Sequence, residues 1–257
     1  MAELDARQQA TKDAFIENRG YWADFWEQLL GLSPDFFEAY MELSSLPWKS
    51  GVLAPKVKEF IYIAIDAATT HLYKPGLRLH IQNALRHGAS VDEIMEVLQL
   101  TSSLGIHTCT VGVPVLIEEL RRAGMADDLD GGTLSESQAA LKQDFMEKRG
   151  YWNDFLDGLL QLSPEFLAAY LKLSAVPWTT GTLAPKLREF IYIAIDASTT
   201  HLYEPGLRQH IRNALELGAT REELMEVLQL TSVLGIHSIS EGVPMLIEEG
   251  KAAGALD

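Results

Sequence analysis

Residues 55–88 read PKVKEFIYIAIDAATTHLYKPGLRLHIQNALRHG, and residues 185–218 read PKLREFIYIAIDASTTHLYEPGLRQHIRNALELG, the same stretch 130 residues later without a gap. Drawn as a helix over about 56–70, the first of these places Phe60, Ile61, Ile63, Ala64, Ile65, Ala67 and Ala68 around well over half of the circumference. Glu59, Tyr62, Asp66, Thr69 and Thr70 share one narrow stripe. A helix apolar almost all round is a buried helix. A carboxylate buried with it must be paired, hydrogen-bonded or protonated. His71, Tyr73, a Pro75-Gly76 turn and a second helix carrying His80 follow, so this helix–turn–helix is expected to form the site and the rest of the chain to hold it.

Working outward, residues 15–124 align with 145–254 without insertion, about two thirds of the positions being identical. Two copies point to a fused pair of like domains, 1–130 and 131–257, since a solenoid usually needs three or more repeats. Asp130-Gly131-Gly132 is the expected joint, with a new helix beginning at Thr133 or Ser135. Each copy reads as helices only. The first has a polar opening helix over 4–18, an aromatic-rich one over 20–31, and one from Ser33-Pro34 to about Leu43. A loop is expected from Pro47 to Gly51, then the buried helix and the His80 helix, ended by Gly88. Ser90 with Glu93, and Thr220 with Glu223, are capping boxes opening the next helix, and a last helix covers about 110–122. No alternating strand pattern of useful length occurs. The expected fold class is all-α.

Composition narrows the partners. A formal charge of −15 over 257 residues argues against nucleic acid, because there is no basic stripe to displace counterions, and against an anionic membrane surface. No signal-peptide pattern and no apolar run of membrane-spanning length are expected. Cys109 is the only cysteine, which excludes an intrachain disulfide or dithiol centre and fits a reducing, cytoplasmic setting.

Six of the seven histidines are matched between copies: His71 with His201, His80 with His210, and His107 with His237. Also matched are Glu59 and Glu189, Tyr62 and Tyr192, Asp66 and Asp196, Tyr73 and Tyr203, and Glu96 and Glu226. His80 flanks the apolar face made by Leu77, Ile81 and Ala84. An imidazole there, beside a buried carboxylate, suits general acid–base chemistry. The same pair could equally satisfy itself as part of a helix interface. Tyr21, Trp22, Phe25, Trp26 and Trp48 read as core or pocket lining, and His107 as a core-edge residue that could serve a site. The paired histidines and carboxylates offer enough donors for a metal. Yet His71 and His80 lie across a turn and no histidines are spaced i,i+3 or i,i+4, so no metal and no other cofactor are expected. Nor is there a phosphate loop or a serine nucleophile elbow.

At PKVKEFIYIAIDA and KPGLRLHIQNALRHGASVDEIMEVLQLTSSLGI, each present twice, the sequence resembles the carboxymuconolactone decarboxylase family and its alkylhydroperoxidase D-like relatives. The resemblance covers about 35–122 and 165–252 and implies six or so helices per unit and assembly into trimers or hexamers. For a fused chain that becomes a homotrimer, a pseudo-hexamer. It implies cofactor-free decarboxylation or isomerisation of a small carboxylated lactone or cyclic acid, as in aromatic-compound catabolism, or else thiol peroxidase chemistry. Glu59 and Glu189 match the family glutamate, and His80 and His210 its histidine. The thiol branch needs a C-x-x-C pair ahead of that histidine, where this chain has HLYKPGLR. The expected catalytic set is therefore Glu59, His80 and His71 with Glu189, His210 and His201. Tyr73, His107, Tyr203 and His237 are expected to bind a small anionic substrate, steered in by Lys56 or Arg78. The rival reading is a non-catalytic helical binding or assembly protein.

Overall fold

The computed structural model describes residues 4–126, 129 and 133–256, so the expected joint at Asp130-Gly131-Gly132 lies outside the described residues. The first copy contributes α1 (Ala6–Arg19), α2 (Asp24–Leu32), α3 (Pro34–Lys49), α4 (Pro55–Ala67), α5 (Lys74–Arg86), α6 (Val91–Ser102), a 3-10 turn (Ser103–Ile106) and α7 (His107–Arg122). The second contributes α8 (Glu136–Arg149), α9 (Asp154–Leu162), α10 (Pro164–Ser174), α11 (Val176–Thr180), α12 (Pro185–Ala197), α13 (Glu204–Glu216), α14 (Arg221–Ser232), a 3-10 turn (Val233–Ile236) and α15 (His237–Ala252). The protein is all-α, with no strand among the described residues.

The local signals act as expected at most helix ends. Ser90 and Glu93 form a reciprocal capping box on α6, as do Thr220 and Glu223 on α14. Ser135 caps α8 in the same way through Gln138. Gly88 and Gly218, at φ near +80°, turn the chain out of α5 and α13 in a conformation that costs other residues energy. Two expectations fail. Ser33 stands at the N-cap position of α3 without a side-chain cap bond. And α3 does not stop near Leu43 but runs through Pro47 to Lys49. A proline inside a helix leaves the carbonyl one turn back, here that of Leu43, without its usual donor; the Pro47 carbonyl itself accepts from Lys58 Nζ at 2.5 Å and from Ser50 Oγ at 2.9 Å. In the second copy the same region breaks at Ala175 into the short α11.

α4 and α12 are the centre. Every residue from Val57 to Asp66 is buried, charged ones included. Fully burying side chains such as Phe60, Ile61, Ile63 and Ile65 is worth about 1.5–3 kcal/mol each against leaving them in water. The helix ends at Ala67, however, so Thr69 and Thr70 leave the expected polar stripe and lie exposed in the turn.

No core belongs to one copy. One cluster joins Val57, Ile61 and Ile65 of α4 to Phe190, Ile193 and Val227 of the second copy, and its twin joins Phe60, Ala64 and Val97 to Ile191 and Ile195. The last helices are exchanged. Val113 of α7 packs into the second copy's Phe145, Leu156 and Leu160, and Val243 of α15 packs against Phe15, Trp26 and Leu30 of the first. The sequence repeat is thus a pseudo-twofold pair with shared interiors.

The runs Val91–Arg122 and Arg221–Ala252 are long and apolar enough to cross a membrane by length and composition alone, which corrects the expectation that no such run exists. Read as a sequence, each is divided at the turn around Gly105 or Gly235. In the fold, α6 and α14 supply core residues and α7 and α15 cover the opposite copy.

Candidate functional site

α4 and α5 place the expected pair together. His80 Nδ1 lies 2.6 Å from Glu59 Oε2, and His210 Nδ1 lies 2.6 Å from Glu189 Oε2. Both partners are nearly excluded from solvent in each copy. A hydrogen bond with an ionised partner is short and strong, and it fixes which imidazole nitrogen faces away, here Nε2. Tyr62 lies against the His80 ring at a centroid separation of 4.5 Å, and Tyr192 does the same for His210. In the second copy Asn213 Nδ2 also donates to Glu189 Oε1 at 3.2 Å.

The turn after α4 brings in the remaining residues, and it does so under strain. Leu72 and Leu202 have φ of 52° and 50°, a left-handed conformation that costs a non-glycine residue about 1–3 kcal/mol. Bonds from Leu72 N–H to the Ala68 carbonyl and from Tyr73 N–H to the Asp66 carbonyl, both 2.9 Å, hold it there. The result turns His71 toward α15 of the other copy. His71 Nε2 is 2.7 Å from His237 Nδ1, with the rings parallel, and His107 Nδ1 is 2.6 Å from His201 Nε2. Tyr73 stacks on His237 at 3.8 Å and its hydroxyl meets Ser240 Oγ at 2.5 Å; Tyr203 stacks on His107 at 3.9 Å. The expected substrate-binding histidines therefore do not join the sites of their own copies. His107 completes the second site and His237 the first.

Asp66 sits under this cluster, 1% exposed, with no hydrogen-bond partner on either carboxylate oxygen. Its Oδ2 is 4.0 Å from His80 Nε2. Burial, and next the neighbouring Glu59 charge, push its pKa up to about 8, and Asp196 rises to about 7, burial again leading. Burial holds His107 and His237 down to about 3 and lowers His71 and His201 as well, so these four rings are neutral. Gly76 and Gly206 are needed here: a Cβ at either would collide with the aspartate Oδ2 and the adjoining tyrosine ring.

A cavity of about 350 Å³ opens on the first site, lined by His80, Tyr73, His237 and Ser240 and by Tyr21, Phe25 and Trp26 from the aromatic set. Trp22 stays on the core side of that set, against Phe15, and Trp48 stacks on Tyr62. The second site opens on about 530 Å³ and is more polar, with Asn153, Gln209, Arg208 and Arg212 where the first has Ala23, Leu79, Arg78 and Gln82. Arg78 thus borders a site, as steering requires. Lys56 does not, since its ammonium pairs with Glu93 at 2.8 Å.

Sequence reading passed over Arg19 and Arg149. Arg19 borders the first cavity and lies 5.7 Å over Tyr62, while Arg149 donates to the Ser174 carbonyl at 2.6 Å and lies 5.8 Å over Tyr192. Their signal was the matched Arg-Gly-Tyr-Trp that opens each aromatic segment.

The model of the Carboxymuconolactone decarboxylase family matches residues 34–105 and again 164–235, one match per copy. A crystal structure from Burkholderia xenovorans LB400, of a protein described there as a candidate gamma-carboxymuconolactone decarboxylase subunit, is 44% identical over 98% of this chain and 100% of its own, with a TM-score of 0.93. No curated protein matches this chain significantly.

Proposed function

The chain belongs to the carboxymuconolactone decarboxylase family, and from that premise we propose that it is a cytoplasmic carboxy-lyase acting on a small carboxylated lactone or cyclic acid. One observation carries the reading: a buried histidine, fixed by a buried glutamate, beside an aromatic-lined cavity, built twice. In decarboxylation the bond to the carboxylate carbon breaks and carbon dioxide leaves. The electron pair passes into a conjugated carbonyl, and the resulting enolate must be held and then protonated on carbon. His80 and His210 supply that proton from Nε2 and regain it from water, while Glu59 and Glu189 hold each ring through Nδ1. The cluster of His71, Tyr73 and His237, and that of His201, Tyr203 and His107, faces the developing oxyanion. Arg78, Arg208 and Arg212 attract the substrate carboxylate into an acidic protein.

A thermal-shift screen of small lactone acids and cyclic acids, with every hit assayed for carbon dioxide release, tests this. Release that disappears in the His80→Ala/His210→Ala protein supports the proposal. Hits that bind without release make this a helical binding protein.

The thiol branch predicts the reverse of what is expected at Cys109, which lies half-buried against the second copy's core. Its counterpart is Ile239, so Cys109→Ser leaves turnover unchanged. Loss of most activity in a folded Cys109→Ser protein would put the chemistry on the thiol.

Assembly is expected to be a homotrimer. The tryptophans Trp22, Trp26 and Trp48 are engaged inside the chain, Trp26 being 2% exposed. Among the many exposed apolar residues, Val111, Val115 and Leu116 on α7 and Met245 and Leu246 on α15 lie on the exchanged helices. Covering such faces in a second copy removes apolar area from water. Light scattering should give three chains per particle, and a monomer at micromolar concentration would exclude it.

A further inference from the structure

The two clusters that bridge the copies hold more ligating atoms than proton transfer uses. In the first, the side-chain donors of Asp66, His71 and His237 all lie within 4.8 Å of one another, and in the second so do those of Asp196, His201 and His107. We propose that each triplet is a binding site for one divalent first-row transition-metal ion, held by two imidazole nitrogens and one carboxylate oxygen, with the remaining positions open.

The distances suit such an ion. Ligand bonds of about 2.0–2.2 Å set neighbouring donors roughly 3.0–3.5 Å apart. The histidine nitrogens stand at 2.7 and 2.6 Å, and the carboxylate oxygens at 3.7 Å from His237 Nδ1 and 3.8 Å from His107 Nδ1. Shifts of a few tenths of an ångström bring these two edges of each triplet to that span, and the third, from the carboxylate to His71 or His201, is within 4.8 Å. The donor set is borderline in softness, two imidazoles and a carboxylate, which suits zinc, cobalt, iron or manganese rather than calcium or magnesium.

A ligand is also called for by what the residues otherwise lack. Asp66 is 1% exposed with both oxygens unpartnered, and Asp196 is 2% exposed with Oδ2 unpartnered. A buried polar group normally finds a partner, and a buried carboxylate without one costs several times what an ordinary hydrogen bond returns. A pair of neutral imidazoles meeting nitrogen to nitrogen shares a single proton, so one lone pair at most is used there. A cation takes both lone pairs and the carboxylate charge together.

In the second copy a small space of about 30 Å³ is bordered by His107, Asp196 and His210, room for one ion or water. Arg149 borders it too, a positive charge that opposes a cation there, so the negative charge of Asp196 is what favours one. His237 lines the first cavity and His107 the second, which puts an open coordination position beside any bound carbonyl oxygen. There the ion would act as a Lewis acid on the oxyanion of the proposed reaction. Binding itself does not rest on that reading, and a protein that holds the ion while releasing no carbon dioxide keeps one and loses the other.

Full-length protein, stripped with a chelator and dialysed against Co²⁺, should retain two ions per chain and show the visible ligand-field bands of cobalt bound to nitrogen and oxygen. His237→Ala should remove one ion although its two co-ligands lie in the other copy, and Asp66→Asn should remove the same one without loss of helical signal. Asp196→Asn should remove the other. No retained cobalt overturns the proposal. So does cobalt that stays in both asparagine variants, because it then sits elsewhere. A single ion lost in only one of these variants overturns the site in the other copy.

Discussion

Changing His80 and His210 together to alanine lowers turnover by about 10² to 10⁴, the usual worth of a positioned general acid, while the helical spectrum stays. Each single change removes one of two centres and leaves the other working. The argument rests on placement. Each imidazole is tied through Nδ1 to a buried glutamate at 2.6 Å and borders a cavity through the rest of its ring. A partner this buried could also be purely structural, and the two roles separate cleanly in measurement. Were the pair only a helix clamp, the alanine protein would melt earlier and turn over at a near-normal rate per folded molecule. Glu59→Gln with Glu189→Gln keeps the shape and an acceptor for Nδ1 and should give a smaller loss than the alanine changes. A loss as large as that of the alanine protein would mean that the glutamates do more than orient the rings.

How much of this could be read from residues alone depends on the range of the interaction. The buried helix announced itself through Phe60, Ile61, Ile63 and Ile65 on adjoining faces, and the capping boxes at Ser90 and Thr220 are complete within four residues. His80 and Glu59 are 21 positions apart but belong to consecutive helices joined by a short turn, so their meeting was also within reach. What depended on the partner copy was not. A matched pair such as His107 and His237 looks the same in sequence whether each serves its own copy or the other one. The crossing is decided by α7 and α15 packing on the opposite α9 and α2. The absence of i,i+3 and i,i+4 histidines argued against a metal only for donors on one helix; His71 and His237 are 166 positions apart. Proline at 47 read as a loop because a sequence does not show that Lys58 will reach its carbonyl. Lys58 itself is a cation in the first turn of α4, and it is 1% exposed.

That lysine leads to the second large effect: Glu226→Ala destabilises the folded chain by about 3–5 kcal/mol, the cost of stripping one partner from a buried ion pair. Lys58 Nζ lies 3.0 Å from Glu226 Oε1, with both side chains 2% exposed. The same carboxylate accepts from Leu53 N–H at 3.1 Å and from Ser50 Oγ, so it also anchors the loop that leads into α4. The twin clasp runs the other way, Glu96 accepting from Arg188 Nε at 2.6 Å and from Leu183 N–H at 2.9 Å. Each glutamate therefore holds the central helix of the opposite copy by its first turn. Desolvating both charges absorbs much of their attraction, so the intact pair adds little net stability. Its removal on one side leaves an ammonium with no counter-charge in the interior. Lys58→Met in the Glu226→Ala background should then recover most of the loss, because the uncompensated charge is gone and the helix keeps an apolar side chain of similar length. Denaturant unfolding of the wild type, both single variants and the double variant gives the coupling directly. If the double variant is as unstable as the sum of the singles, the two residues do not act on each other. The fall would then belong to the Leu53 and Ser50 bonds, and Glu226 would be a loop anchor alone.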